Sequence, residues 1–107
     1  MFCPISRFDI ILVTVRIDKS KFIETDVSDF NSVNDMVNNT IKYFGSPDIL
    51  INNAGINVFS EPLKMSDSEW KRAFSVDLDG VWFGCKAVLP HMLSQGKGSI
   101  VNVSSVH

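Results

Sequence analysis

The sequence predicts an α/β fold built on a parallel sheet, and three observations support this prediction. From about residue 22 onward, segments with helical periodicity alternate with short apolar runs of strand length. These runs are continuously apolar, as in strands that are covered on both faces. Glycine and proline stand where each helical segment is expected to stop. The resulting order of strand, helix, strand, helix, strand is typical of a right-handed parallel α/β sheet.

The first strand and the first helix are expected at residues 22–25 and about 29–44. Ser28 or Asn31 can cap the helix, and Gly45 followed by Pro47 ends it. The apolar residues of the helix recur with the three-four spacing of one buried stripe. They are Val33, Met36, Val37, Ile41 and Phe44.

A second strand and a longer helix follow. Residues 48–52 are a short apolar run that predicts a strand. Ser66 and Glu69 have the spacing of a capping box, which predicts a helix start at Ser66. We expect this helix to reach about Ser94, with Pro90 kinking or tightening its last turns. Residues 96–98 then end the helix, and residues 99–104 predict the third strand.

Both ends of the chain depart from this pattern. Residues 9–15 could form a strand, but too few residues separate them from residue 22 for the crossover that parallel strands need. Either the two runs form an irregular hairpin turning near residues 18–20, or the first ~20 residues are foreign to the fold. We therefore treat residues 1–21 as an atypical N-terminal segment and 22–107 as the domain proper. Because His107 directly follows a strand, we expect the chain to be an internal piece of a larger domain.

Composition excludes several classes of function. The formal net charge of the 107 residues is -2, and their basic residues are scattered. Neither nucleic acid nor a membrane surface is therefore an expected partner. Cys3 and Cys85 fit neither a disulfide framework nor a metal motif, so a reducing, cytoplasmic location is expected. His91 and His107 have no ligand partner at useful spacing, and no metal site is expected.

Three short motifs carry the chemistry. They are Thr25-Asp26-Val27-Ser28-Asp29, Asn52-Asn53-Ala54-Gly55 and Gly98-Ser99-Ile100-Val101-Asn102-Val103-Ser104-Ser105. At a strand end, the Asp26 carboxylate and the Val27 backbone amide match the acceptor and donor pattern of an adenine edge. The alternative for Asp26 is a helix N-cap. The small residues Ala54 and Gly55 would let a flat ring or ribose approach the backbone closely.

Together with residues 48–51 and Gly80-Val81-Trp82, these motifs resemble the short-chain dehydrogenase/reductase family over about residues 22–107. The resemblance implies a partial Rossmann-like, doubly wound sheet and hydride transfer between NAD or NADP and an alcohol or carbonyl substrate, with a sugar or polyol as one candidate. It implies cofactor contacts for five residues and a sheet-bracing role for Asn52. The five are Asp26, Val27, Asn53, Ala54 and Gly55.

The resemblance also implies that Ser105 holds the substrate oxygen, although a serine at a strand end is more often a turn former. The catalytic tyrosine and lysine of the family have no counterpart, since Tyr43, the only tyrosine, lies in the first helix. Asp77 stands where the family usually has an asparagine, which makes its part in proton transfer doubtful. The phosphate-binding glycine loop is absent, because Gly96 and Gly98 precede a strand. We therefore expect this chain alone to be inactive and to bind NAD(P) weakly or not at all.

The long helix is the expected contact surface for partners. The Gly80-x-x-x-Gly84 spacing predicts close approach of another helix. The resemblance implies packing against a neighbouring subunit through Trp82, Phe83 and Cys85, and burial against the sheet explains most of these three residues equally well. Homo- and hetero-oligomers are both candidates. The alternative functions are a non-catalytic protein that pairs with a full-length relative, and a gene remnant without function.

Overall fold

The computed structural model describes residues 20–104 and the backbone of Ile10 and Ile11. Two helical regions and three short strands make up this part of the chain. In chain order they are β1 (Ile10–Ile11), α1 (Phe30–Phe44), β2 (Ile49–Asn52), α2 (Asp67–Phe74), a π segment (Ser75–Asp79), α3 (Gly80–Gln95) and β3 (Ser99–Asn102).

The parallel pair β2 and β3 is the centre of the fold. It runs in register from Ile49 opposite Ser99 to Asn52 opposite Asn102, and its crossover contains α2, the π segment and α3. This arrangement confirms the predicted α/β class. On the other side of β2, the backbone of Ile10 and Ile11 adds an antiparallel strand, so the strand order is β1-β2-β3.

The strand predicted at residues 22–25 does not form, and residues 20–26 carry no regular secondary structure. A strand exists only through pairing, and residues 22–25 pair with none of the three strands of the described sheet. The hairpin alternative is not seen either, because Ile10 and Ile11 pair with β2 instead of with residues 22–25. The rest of the predicted hairpin before residue 20 lies outside the described residues.

Helix α1 forms close to its predicted limits. Asp29 is its N-cap, accepting a hydrogen bond from the Asn31 backbone N–H at 3.0 Å, so neither Ser28 nor Asn31 caps it. The predicted stripe is confirmed, with Val33, Met36 and Val37 buried. Gly45 ends the helix with a φ of 88°, a conformation that glycine adopts without strain.

The longer helical region begins as predicted but is not one regular helix. Glu69 N–H donates to Ser66 Oγ at 3.2 Å and Ser66 N–H donates to Glu69 Oε2 at 2.8 Å, which completes the capping box. The π segment then separates α2 from α3. Helix α3 continues past Pro90 to Gln95 and ends at Gly96, whose φ is 73°.

The core lies between the helices and one face of the sheet. Helices α1 and α3 pack against each other, with the rings of Phe30 and Phe83 edge to face at 5.7 Å. Leu50 of β2 is fully buried beneath them. The other buried apolar residues are Val27, Val33, Met36, Val37, Val76, Ala87, Val88 and Met92. No helix within residues 20–104 is long and apolar enough to cross a membrane.

Gly80 and Gly84 serve a different neighbour from the one predicted. A Cβ at Gly80 would lie 2.9 Å from Val27 Cγ2, and a Cβ at Gly84 would collide with Asn52 Oδ1. The two glycines therefore let α3 lie close to the loop before α1 and to β2. The prediction that this spacing serves another helix is wrong for the described part of the chain.

Candidate functional site

The candidate site lies where β2 and β3 end. In parallel sheets the loops after the strands meet at one edge, and ligands commonly bind there. A small cleft opens at this edge between the sheet, the loop before α1 and the helical region. Its lining residues are Val27, Asn52, Ala54, Val76, Gly80 and Val81. The structure thus brings together Val27 and Ala54, two residues from separate sequence motifs.

Asp26 is held in a local turn. Its Oδ1 accepts hydrogen bonds from the Ser28 backbone N–H at 2.9 Å and from Ser28 Oγ at 2.6 Å. Its own N–H donates to Ser32 Oγ at 2.9 Å. Because Asp29 is the N-cap of α1, the alternative role of Asp26 as helix cap is wrong. The half-buried Asp26 carboxylate is instead oriented by Ser28 beside the cleft.

Val27 and Ala54 contribute differently to the cleft. Val27 as a whole residue is 1% exposed and packs against Gly80, so it forms part of the buried wall of the cleft. Ala54 is half-buried and packs against the same core. The neighbouring residues Asn53 and Gly55 are exposed. A flat group could therefore approach this backbone without meeting a large side chain.

Asn52 joins the ends of the two parallel strands. Its Nδ2 donates to Asn102 Oδ1 at 2.9 Å and lies 3.8 Å from Cys85 Sγ. Its Oδ1 is buried and has no hydrogen-bond partner within the described structure. Asn102 was not singled out from the sequence. The sequence signal that could have found it is that each of the two predicted strands carries an asparagine near its end. In the structure these two asparagines are register partners.

Asp77 lies in the π segment and reaches the loop that follows β2. Its Oδ1 accepts a hydrogen bond from the Ile56 backbone N–H at 2.8 Å, and a Cβ at Gly55 would lie 3.6 Å from the same oxygen. The contact requires an acceptor, which a carboxylate and an amide can both supply. Asp77 thus fastens the loop carrying Asn53, Ala54 and Gly55 to the helical region.

The predicted catalytic serine, Ser105, lies outside the described residues, as does His107. The pairing of β3 with β2 extends toward Ser105, because Val103 N–H donates to the Asn52 carbonyl oxygen at 2.9 Å. Within residues 20–104, no group of three or more His, Cys, Asp or Glu side chains is placed to hold a metal ion.

Comparisons with known proteins give consistent results. A family profile described as "short chain dehydrogenase" matches residues 13–107. The chain is 41% identical over 92 residues to 2-(R)-hydroxypropyl-CoM dehydrogenase of Xanthobacter autotrophicus, covering 83% of this chain and 37% of that protein. It is 44% identical over 84 residues to meso-2,3-butanediol dehydrogenase of Serratia marcescens, covering 78% and 33%.

A third relative and a solved structure extend this result. Glucose 1-dehydrogenase 2 of Bacillus subtilis is 36% identical over 91 residues, covering 83% of this chain and 35% of that protein. The structure of ElxO with NADP bound superposes with a TM-score of 0.75 at 33% identity, over 80% of this chain and 35% of that chain. The chain therefore spans about a third of the length of each of these proteins.

Proposed function

The chain belongs to the short-chain dehydrogenase family, and from this premise we propose that residues 22–107 form the central part of the NAD(P)-binding domain of an oxidoreductase. The proposed reaction is hydride transfer between a nicotinamide cofactor and an alcohol or carbonyl substrate, with a sugar or polyol as one candidate. The names of the relatives, which include a glucose and a butanediol dehydrogenase, support this substrate class. A cytoplasmic location completes the proposal.

The observation that carries the proposal is the cleft shared by Val27 and Ala54. The exposed residues Asn53 and Gly55 flank Ala54 beside this cleft, and the Asp26 carboxylate next to it is held by Ser28. These groups fit the adenine and ribose side of a dinucleotide. Asp26, Val27, Asn53, Ala54 and Gly55 would hold that side of the cofactor. The bound cofactor would supply the hydride acceptor or donor.

The catalytic residues in this proposal are Ser105 and, in a supporting role, Asp77. Ser105 would hold the substrate oxygen by a hydrogen bond. Asp77 keeps the loop after β2 in place through the Ile56 N–H, and this structural task does not require the proton relay in which the family's asparagine takes part. The chain has no tyrosine-lysine pair of the required spacing and no glycine-rich phosphate loop. We therefore propose that it is inactive alone and binds NAD(P) with a Kd above about 1 mM, which corresponds to roughly 4 kcal/mol or less.

An NMR titration of the backbone amides with adenosine monophosphate tests the binding part of the proposal. We expect saturable shifts confined to residues 26–28 and 53–55. Asp26→Asn should weaken binding by about fivefold, since it removes one charge-assisted hydrogen bond to the adenine amine while leaving an acceptor for Ser28. Asp35→Asn, on the exposed side of α1, is the matched control and should leave binding unchanged.

Two results would contradict this assignment: shifts that cluster elsewhere in the chain, or equal weakening by both variants. Micromolar binding of NAD or NADP would overturn the predicted weakness. NAD(P)H oxidation above the blank by the pure chain, with a panel of ketones and sugars, would overturn its predicted inactivity.

A second candidate function, a non-catalytic protein that pairs with a full-length relative, is favoured by a specific observation. The outward side of α2, the π segment and α3 carries large apolar side chains that remain exposed. These are Trp70, Phe74, Leu78, Trp82, Leu89 and Leu93, which we call the outer stripe. A surface of this kind on a soluble domain is typical of a subunit interface. A remnant without function is the remaining alternative, and it predicts neither nucleotide binding nor a defined oligomer.

A further inference from the structure

Ser28 holds one oxygen of the Asp26 carboxylate in the turn before α1. Its backbone N–H donates to Asp26 Oδ1 at 2.9 Å, and its hydroxyl donates to the same oxygen at 2.6 Å. The shorter distance is typical of a hydrogen bond from a hydroxyl to a carboxylate. The torsion that turns a carboxylate is broad, so such contacts decide where each oxygen points. Ser28 therefore sets the orientation of this group.

The backbone of Asp26 is fixed by neighbouring residues of the same segment. Its N–H donates to Ser32 Oγ, in the first turn of α1, at 2.9 Å. Its carbonyl oxygen accepts a hydrogen bond from the Asp29 N–H at 3.1 Å. Val27, the next residue in the chain, lines the candidate cleft. The half-buried Asp26 carboxylate is therefore held beside the cleft at both its backbone and one of its oxygens.

The second oxygen of Asp26, Oδ2, is the one left for a ligand. Oδ1 already accepts two hydrogen bonds, whereas no donor from the described residues lies within hydrogen-bond distance of Oδ2. A carboxylate only accepts hydrogen bonds. A ligand group that meets Oδ2 must therefore be a donor, and the exocyclic amino group of a purine fits this requirement.

We propose that Ser28 is a positioning residue that makes the nucleotide site selective for a purine with a 6-amino group. The inference rests on the proposed function, in which Asp26 meets the adenine edge of the cofactor. The Ser28 hydroxyl acts through Asp26, because it holds Oδ1 and so leaves Oδ2 oriented before the ligand arrives. Such preorganisation reduces the cost of immobilising a side chain on binding. Without the hydroxyl, one donor remains and the carboxylate gains freedom to turn.

Paired NMR titrations of the intact chain with adenosine monophosphate and with purine riboside monophosphate, which lacks only the 6-amino group, test the proposal. The parent chain should bind adenosine monophosphate about fivefold more tightly, the effect of one hydrogen bond. Ser28→Ala should lower this ratio to about twofold or less, while the Kd of purine riboside monophosphate stays unchanged. Ser28→Thr, which keeps the hydroxyl, should retain the ratio. Ser94→Ala, at an exposed position of α3, is the matched control and should also retain it.

Asp26→Asn provides a second test in which Ser28 stays intact. Because both donors of Ser28 require an acceptor, the amide oxygen should take the place of Oδ1 and the amide nitrogen that of Oδ2. A donor then faces the 6-amino group, and the ratio should fall to about one. An amide free to turn would instead offer its oxygen to the amino group and keep part of the preference.

Three results would overturn the inference while the proposed nucleotide site stands. They are an unchanged ratio in Ser28→Ala, equal weakening of both ligands in Ser28→Ala, and a parent chain that binds both ligands equally at residues 26–28 and 53–55. A ratio that stays at the parent value in Asp26→Asn would also overturn it. If adenosine monophosphate causes no saturable shifts at these residues, the proposed function fails, and the inference fails with it.

Discussion

The two glycines of α3 show how single residues set the candidate site. Gly80 admits the side chain of Val27, and Gly84 admits that of Asn52, because neither glycine carries a Cβ. Val27 lines the cleft and Asn52 bridges to Asn102. Close approach of α3 therefore positions both the loop before α1 and the end of β2.

Gly84→Ala is predicted to destabilise the fold although it improves helix propensity. Alanine gains about 1 kcal/mol over glycine in a helix interior, but overpacking a core site costs about 1–3 kcal/mol. The Asn52 amide cannot move away freely, since it is buried and bonded to Asn102. We expect a net loss of about 1 kcal/mol in the free energy of unfolding, measured by urea titration.

Gly55→Ala is the control for that measurement. An alanine there would meet only Asp77 Oδ1 at 3.6 Å, which is an ordinary van der Waals distance. Its stability should stay within about 0.5 kcal/mol of the parent chain. Equal or greater stability of Gly84→Ala would show that α3 does not rest on Asn52.

The N-cap of α1 illustrates what residue-level reasoning from sequence leaves open. Ser28, Asp29 and Asn31 all belong to residue types that cap helices. Ser28 Oγ donates a hydrogen bond to Asp26 Oδ1 in the turn before the helix. Asp29 caps α1 by accepting from the Asn31 N–H. The sequence predicted Ser28 or Asn31, and the structure shows that their neighbour Asp29 is the cap.

At the scale of elements, the start of α2 was predictable because all its determinants are local. The capping box needs only Ser66 and Glu69 at the correct spacing. The hydrogen bond from the Ser66 backbone N–H, followed by that from its hydroxyl, lowers the pKa of Glu69. A carboxylate with a lowered pKa contributes stability above its unfolded-state pKa, and this contribution disappears as the pH falls through its folded-state pKa.

Ser66→Ala is accordingly predicted to destabilise the start of α2. It should also reduce the loss of folding stability that acidic pH causes in the parent chain. Loss of the cap should cost about 1 kcal/mol at neutral pH. The difference between the variant and the parent should shrink as the pH falls through the pKa of Glu69, because its carboxylate then becomes protonated in both. Urea unfolding followed by circular dichroism across this pH range measures the effect.

Ser94→Ala, at an exposed position of α3, is the control and should show no such pH-dependent difference. A difference between Ser66→Ala and the parent chain that is constant from neutral to acidic pH would contradict the role given to the Glu69 carboxylate.

The π segment is the element that the sequence did not reveal. Residues Ser75–Asp79 contain no proline or glycine that would predict an irregular helix. Its placement follows from two tertiary contacts. Val76 is buried in the core, and Asp77 accepts the hydrogen bond of the Ile56 N–H. π-helical turns often occur at functional sites, and this one holds the loop beside the cleft.

At the scale of the whole molecule, apolar surface remains uncovered. The outer stripe has large exposed side chains, with Leu78 59% and Trp82 60% exposed. Val101 of β3 and Val103, just after it, are exposed as well. Exposed apolar surface of this kind favours association in water.

We predict that the chain self-associates through the outer stripe. Sedimentation equilibrium should give a mass above that of one chain, and the double variant Leu78→Gln, Trp82→Gln should shift it toward the monomer. Removing two half-exposed apolar side chains from an interface should weaken association by about tenfold or more. The circular dichroism should stay unchanged because both side chains lie outside the core.

Leu63→Gln provides the control, since Leu63 is fully exposed in the loop between β2 and α2. If Leu63→Gln lowers the measured mass as much as the double variant does, the association is non-specific aggregation. A monomeric parent chain at all concentrations would remove the support for the pairing function.

The local pattern of the sequence determined the α/β class, the limits of α1, the capping box of α2 and the strands β2 and β3. Each of these depends on residues that are near one another in the chain. The three motifs likewise identified the family without a structure. The assignment of Val27 and Ala54 as cofactor contacts came from the family resemblance of these motifs and stays a prediction.

Only the tertiary structure decided which of these residues meet. Residues 22–25 pair with none of the strands β1, β2 and β3, and they therefore form no strand. The fit of Gly84 against Asn52, the bridge from Asn52 to Asn102 and the contact from Asp77 to Ile56 join positions far apart in sequence. Such contacts depend on the relative placement of whole elements, and packing in three dimensions fixes that placement, whereas local periodicity does not.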